Sequence, residues 1–173
     1  MDGDPLLAWK DQKAVLHFRY ADQAAKACLT KTGNALEALT YHTLRSMNYF
    51  DDVKLGVSIQ WDRDRVEGRD TRNEIDVICA RGLKSWFISC KQTYKLEMAY
   101  LNEIRYETDR FGLDATPILV TTASYLNNPS CYDRAKRMGI HVISLKKLPL
   151  RKDLLNPGAE ALAGQLRRIL EEA

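Results

Sequence analysis

Residues 74–91 read EIDVICARGLKSWFISCK, two runs rich in apolar and β-branched residues on either side of an Arg81-Gly82 pair. Runs of this length and composition, broken by a turn signal, predict two strands over 74–80 and 86–91 that fold back as a hairpin. Glu74 and Asp76 are two residues apart, so both project to the face opposite Ile75 and Val77, with Cα atoms roughly 6 to 7 Å apart. Ser89 and Lys91 share one face of the second run in the same way. Neighbouring strands lie about 5 Å apart, so the hairpin brings Asp76 close to Lys91 and seats a polar cluster on an otherwise apolar sheet.

Working outward, Val53, Leu55, Val57, Ile59 and Trp61 alternate with Lys54, Gly56, Ser58 and Gln60, the period of two expected of a half-buried strand. With the hairpin it predicts an antiparallel three-stranded meander, entered through a charged loop over 62–72. Upstream, Thr32-Gly33-Asn34 offers N-cap candidates, and Leu36, Leu39, Thr43 and Met47 fall on one stripe of a helix ending near residue 47. Downstream, Leu101, Ile104, Thr108 and Phe111 form one face of a helix over 96–111, which Gly112 ends. The runs 117–121 and 141–145 are apolar without alternation, as in strands covered on both faces, and predict a parallel pair joined by a short helix over 131–138. A last helix over 159–171 carries Leu162, Leu166 and Ile169 inward. Residues 1–31 show no sustained period and read as a leader, with a short helix over 22–29. The expected fold is therefore α/β, one domain over 32–173 in which a mixed sheet is flanked by helices.

At 173 residues with 45% hydrophobic content, the chain has material for one core. Its 26 basic and 23 acidic residues leave a net charge of +3, so a basic surface must come from clustering. Cys28, Cys79, Cys90 and Cys131 form no C-x-x-C pair and have no His at ligand spacing, which argues against a zinc site or a disulfide framework. No stretch has the roughly 20 apolar residues of a membrane span. The expectation is a cytoplasmic protein without a membrane partner.

Phosphodiester hydrolysis calls for an activated water and for positive charge near the phosphoryl oxygens, and carboxylates that hold a divalent ion beside a lysine meet both needs. Asp76 and Lys91 suit this task. Read blandly, they are a cross-strand ion pair on a solvated face, and Glu37 is a solvated helix residue. Arg63, Arg65, Arg69 and Arg72 are candidates for phosphate contacts, although Asp62, Asp64, Glu67 and Asp70 interleave with them and cancel much of their field. Trp61, Trp86, Tyr94 and Tyr100 are candidates for base stacking or for the core.

Glu37, then Asn73-Glu74-Ile75-Asp76-Val77, then Phe87-Ile88-Ser89-Cys90-Lys91-Gln92-Thr93, in a chain with this order of elements, resembles the PD-(D/E)XK nuclease superfamily. The resemblance spans residues 33 to about 148 and implies a restriction-endonuclease-like core with elements in the order αβββαβ. More narrowly, the N-E-I-D and I-S-C-K strands with Tyr94-Lys95-Leu96-Glu97 are similar to the nuclease domain of CRISPR-associated type III effectors. In those proteins a cyclic-oligoadenylate-sensing CARF domain precedes the nuclease. Carried over by position, Asp76 is the central metal ligand, Glu37 a second acid, Lys91 the water-positioning lysine and the Cys90 main-chain carbonyl an inner ligand of Mg²⁺ or Mn²⁺. Gln92 is a candidate assistant.

One position departs from the family pattern. An acid usually stands two residues before the lysine, and this chain has Ser89 there. Glu74, on the same face as Asp76, is the candidate that compensates as a metal ligand. The resemblance implies a metal-dependent endonuclease acting on DNA or RNA in antiviral, CRISPR-linked defence, working as a homodimer, with the sensor domain outside this sequence. Two alternatives stand beside it. One is a catalytically degenerate domain that binds nucleic acid or a protein. The other is an interaction protein that docks through Leu162, Leu166 and Ile169.

Overall fold

The computed structural model describes residues 7–10, 13–16, 19–60, 72–112, 114–147 and 157–172. Strands β1 (Leu7–Lys10) and β2 (Lys13–Leu16) pair as a short antiparallel hairpin in the stretch expected to be a leader. Four-residue strands are too short to display a period, which is why the sequence reading passed over them. Helix α1 (Gln23–Thr30) falls where a short helix was expected. It is tied to the next helix, α2 (Asn34–Ser46), by the Asn34 side chain, whose Nδ2 donates to the Ala27 carbonyl at 3.4 Å.

Three antiparallel strands follow: β3 (Asp52–Gln60), β4 (Arg72–Arg81) and β5 (Lys84–Lys91). The turn between β4 and β5 is the predicted one. Gly82 takes φ +58°, a backbone region that side chains disfavour, and donates its N–H to Asp51 Oδ2 at 2.7 Å. Helix α3 (Met98–Asp109) crosses the sheet to β6 (Ala115–Thr121), and α4 (Pro129–Arg137) crosses to β7 (His141–Ser144). The last helix is α5 (Pro157–Glu172). The sheet order is β3-β4-β5-β6-β7: the expected antiparallel meander and the expected parallel β6–β7 pair are joined by a parallel pairing of β5 with β6.

Strand alternation divides the core in two. Val77, Cys79, Trp86, Ile88, Cys90, Ile118 and Val120 point to one face and pack with Leu36 and Leu44 of α2 and with Leu162, Leu166 and Ile169 of α5. The α5 stripe is thus spent inside the domain, with Leu162 and Leu166 fully buried, which leaves the docking alternative without its surface. Leu119 points to the other face and packs with Leu96, Leu101, Ile104, Cys131, Ala135 and Ile140 around α3 and α4. Each large apolar side chain buried in these layers contributes on the order of 1.5–3 kcal/mol. Trp86 belongs to the first layer, where Tyr49 and Phe50 meet its ring edge to face, so it is not a base-stacking residue.

Candidate active site

Asp76 and Lys91 project from the α3 face of the sheet, at the place where β4 and β5 part. Their ladder runs from Arg81 opposite Lys84 to Val77 opposite Ile88 and goes no further. Asp76 takes over the work of the missing rung: its Oδ2 accepts the Cys90 backbone N–H at 2.6 Å and the Ser89 hydroxyl at 3.4 Å. The N–H and C=O of one strand residue point the same way, so the Cys90 carbonyl also faces the gap between the strands. The Lys91 carbonyl points away, accepting from Thr121 Oγ1 and Thr122 N on the β6 side. The Cys90 thiol lies in the apolar layer, 3.5 Å from Thr40 Oγ1, and burial pushes it up to about 12, which rules it out as a nucleophile near neutral pH.

Across β3, the rung opposite Asp76 is also irregular. Gly56, which would face it, has φ +62° and drops out of the ladder. Glu74 Oε1 lies 3.6 Å from where a Cβ on Gly56 would stand. Glu74 itself is exposed.

Glu37 reaches the site from the first turn of α2, where the helix dipole favours a carboxylate. The expected polar cap is absent: Gly33 is the N-cap, with φ +96° and no side chain to offer. Gln92 serves this turn from across the domain, its Oε1 accepting the Gly33 N–H at 3.2 Å. Gln92 therefore positions the helix that carries Glu37. Burial raises the Glu37 pKa, and the charges of Asp76 and Glu74 raise it further, while Lys91 opposes them. Asp76 is likewise raised, chiefly by burial, against the Cys90 N–H, Lys91 and Ser89, which favour its charged form.

Helix α3 contributes two groups that the sequence reading missed. Its buried stripe is Leu101, Ile104 and Thr108, as predicted, whereas Phe111 lies beyond the helix end, 45% exposed, with its ring against Phe87. Beside that stripe, Tyr100, Glu103 and Glu107 repeat at spacings of three and four, which places them on one side of the helix. Glu103 forms an ion pair with Lys91 Nζ at 3.2 Å, and the Tyr100 ring lies 5.5 Å from the same ammonium. Burial pushes the Lys91 pKa down, but Glu103, Asp76 and Glu107 together hold it above the ordinary lysine value. Glu107 is 5% exposed. Burial, Glu103 and Asp76 push its carboxyl up to about 7 against the opposing Lys91.

Arg63, Arg65 and Arg69 lie outside the described residues, as does Trp61. Arg72 begins β4, its backbone paired with Gln60. Tyr94 is 75% exposed, with Lys146 Nζ 5.5 Å from its ring, and both line a surface groove with Gln92, Thr93, Thr122 and Leu145. The groove begins one residue after Lys91.

Among the described residues no three His, Cys, Asp or Glu side chains converge into a ready coordination shell. The donor set still suits a hard cation. Asp76 keeps one carboxylate oxygen outside the Cys90 and Ser89 hydrogen bonds, and Mg²⁺ commonly takes one or two carboxylates and fills the rest of its shell with water and substrate oxygens.

A mixed sheet of this order between helix layers, with acids on α2 and β4 and a lysine at the end of β5, defines a restriction-endonuclease-like fold. Residues 24–161 match the Card1-like endonuclease domain family, and the chain belongs to that family. Similar solved structures include protein VC1899 from Vibrio cholerae, with TM-score 0.65 and 19% identity, covering 96% of this chain and 39% of that one. Another is Can2 from Sulfobacillus thermosulfidooxidans in complex with cyclic tetra-adenylate, with TM-score 0.61 and 20% identity, covering 86% and 38% respectively. At these identities the likeness is one of fold. The chain spans about two fifths of the length of each. No curated protein sequence matches it. Among the described residues no helix is long and apolar enough to cross a membrane.

Proposed function

We propose that this domain is an endonuclease that hydrolyses the phosphodiester backbone of DNA or RNA with Mg²⁺ or Mn²⁺. The observation that carries this reading is the opening between β4 and β5, where Asp76, the Cys90 carbonyl edge and Lys91 face one another with Glu37 entering from α2. In this reading Asp76, Glu37 and the Cys90 carbonyl hold the ion, and Glu74 is the further ligand candidate from the neighbouring strand. The ion supplies charge stabilisation at the phosphoryl oxygens and a water acidic enough to attack near neutral pH.

The chain's own residues do the rest. Lys91 has its pKa held up by the surrounding carboxylates, so it remains an ammonium and acts as a donor. It orients the attacking water and offsets charge on the phosphoryl group, but it does not accept the proton. Glu103 fixes the direction of the ammonium. The Tyr94–Lys146 groove receives the flanking strand, the ring stacking on a base and the ammonium meeting a phosphate.

The setting we infer is cytoplasmic antiviral defence linked to CRISPR. Family membership supports it, as does a fold neighbour whose structure holds cyclic tetra-adenylate. The working form is a homodimer, and control by a cyclic oligoadenylate belongs to a sensor region outside residues 1–173.

The test uses circular single-stranded DNA, plasmid and RNA with Mn²⁺, Mg²⁺ or excess chelator, on the parent chain and on Asp76→Ala. Metal-dependent cutting that disappears in Asp76→Ala supports the reading and names the substrate. A second reading rests on Ser89: a silenced domain that binds nucleic acid without cutting it. Lys91→Ala separates the two, because a binding module keeps its affinity and has no cleavage to lose.

A further inference from the structure

Gln92 stands at the junction of the groove and the site. It is exposed, follows Lys91 at the end of β5 and lines the groove with Thr93, Tyr94, Thr122, Leu145 and Lys146. The backbone on either side of it is pinned. The Lys91 carbonyl accepts from Thr121 Oγ1 and Thr122 N, and Thr93 exchanges two hydrogen bonds with Thr122 Oγ1, at 3.0 Å through its N–H and 2.9 Å through its carbonyl. The Gln92 side chain is therefore the part of this strand end that can respond to a ligand.

The amide of that side chain has two unlike ends. Its oxygen accepts the Gly33 N–H at 3.2 Å, and only the oxygen can meet a backbone donor, so the NH2 group is turned elsewhere. Among the described residues that group meets no acceptor, which leaves it to solvent and to whatever enters the groove. The other end of the contact is the residue that seats Glu37. Gly33, with φ +96°, is the N-cap of α2, and its carbonyl accepts the Leu36 and Glu37 N–H groups at 2.9 and 3.1 Å. A Cβ on Gly33 would stand 3.3 Å from Glu37 Oε1, so the carboxylate lies back against the residue that Gln92 holds.

Resting on the nuclease reading above, we propose that Gln92 is a two-ended positioning residue. Its oxygen holds the first turn of α2, and with it Glu37, while its NH2 group donates to a phosphate oxygen of the strand lying in the Tyr94–Lys146 groove. The Lys146 ammonium beside the Tyr94 ring gives that groove the charge a phosphodiester calls for. The two contacts help each other. A long flexible side chain loses its rotamer freedom once, so the contact made first leaves less for the second to lose. Donation to an anionic oxygen also polarises the amide and makes its carbonyl a stronger acceptor for Gly33. An occupied groove thus steadies the second acid of the site beyond what the single exposed hydrogen bond does alone.

The experiment is hydrogen exchange at the Gly33 amide, followed by NMR on the whole chain in chelator so that nothing is cut, with and without excess oligodeoxythymidine or oligouridine. Fluorescence anisotropy reports whether the strand binds. In the parent chain the strand is expected to slow Gly33 exchange by roughly 5-fold or more. Gln92→Leu should exchange fast at Gly33 with or without the strand, and should bind the strand more weakly. Gln92→Glu keeps an oxygen for Gly33 and loses the donor, so it should protect Gly33 as the parent does yet show no response to the strand. A strand that binds and leaves Gly33 exchange in the parent unchanged overturns the proposal. Strand-induced protection that persists in Gln92→Glu does so too, as does parent-like protection in Gln92→Leu. A chain that binds neither strand also overturns it, whereas the nuclease reading stands or falls separately on the circular substrates and Asp76→Ala.

Discussion

The two faces of the sheet are built from the same strands and do opposite things. Toward α2 and α5, consecutive inward positions are apolar without interruption, from Val77 and Cys79 through Ile88 and Cys90 to Val120. Toward α3 the apolar pattern runs through Phe87 of β5 and over β6 and β7, and where β4 and β5 part it becomes Asp76, Ser89 and Lys91 beside Glu103 and Glu107. One face therefore stabilises the domain and the other tolerates charge. A helix that covers both kinds of surface must carry two stripes, and α3 does, with Leu101 and Ile104 on one and Glu103 and Glu107 on the other.

The sharpest way to break this contrast is Asp76→Ala, which removes the group that closes the β4–β5 gap. Cleavage of circular substrates should fall below detection, and urea stability should drop by about 1–3 kcal/mol because the buried Cys90 N–H loses its acceptor. Ile88→Ala and Ser89→Ala then compare neighbours that point to opposite faces. Ile88 is completely buried, so its truncation should cost about 2–5 kcal/mol in urea denaturation. Loss of the Ser89 hydroxyl, with its long 3.4 Å hydrogen bond, should cost about 1 kcal/mol or less.

Acidity probes the charged face by itself. Burial, Glu103 and Asp76 raise the folded Glu107 pKa from the ordinary 4.5 to about 7, so the folded chain holds this proton more tightly than the unfolded one. Stability from the protonated group is fully present below about pH 4.5 and is lost as pH rises through about 7. Without divalent cation, urea stability should fall across that window by up to roughly 3 kcal/mol, and Glu107→Gln should flatten the slope. The smallest effect belongs to the groove. Tyr94→Ala should weaken binding of a single strand by about 1–3 kcal/mol, read by fluorescence anisotropy at fixed salt, with no change in the melting temperature.

Much of this arrangement was legible in the order of residues. The spacing of Asp76 and Lys91 about the Gly82 turn fixed both their shared face and their proximity, since strand alternation and hairpin geometry leave little freedom. The alternation in β3 was real at Val53, which is buried, but Leu55 is 44% exposed, because an edge strand has no layer above that position. Glu103 and Glu107 were missed because a polar stripe on a helix usually faces water. The available signal was their spacing of four, alongside a buried stripe that already fixed which way the helix faces. The Gly33 cap was hidden for a different reason: its partner, Gln92, lies 59 residues further along the chain, and no local pattern reports such a contact.

The left-handed residue at Gly56 bears on how copies of this domain can meet. A free edge strand displays a row of unused N–H and C=O groups and invites another chain to extend the sheet. Strand β3 lies at such an edge, and Gly56 divides its nine residues into two stretches of four. Each stretch is shorter than the five or six residues of a typical strand, so the edge is a poor template for addition or fibril growth.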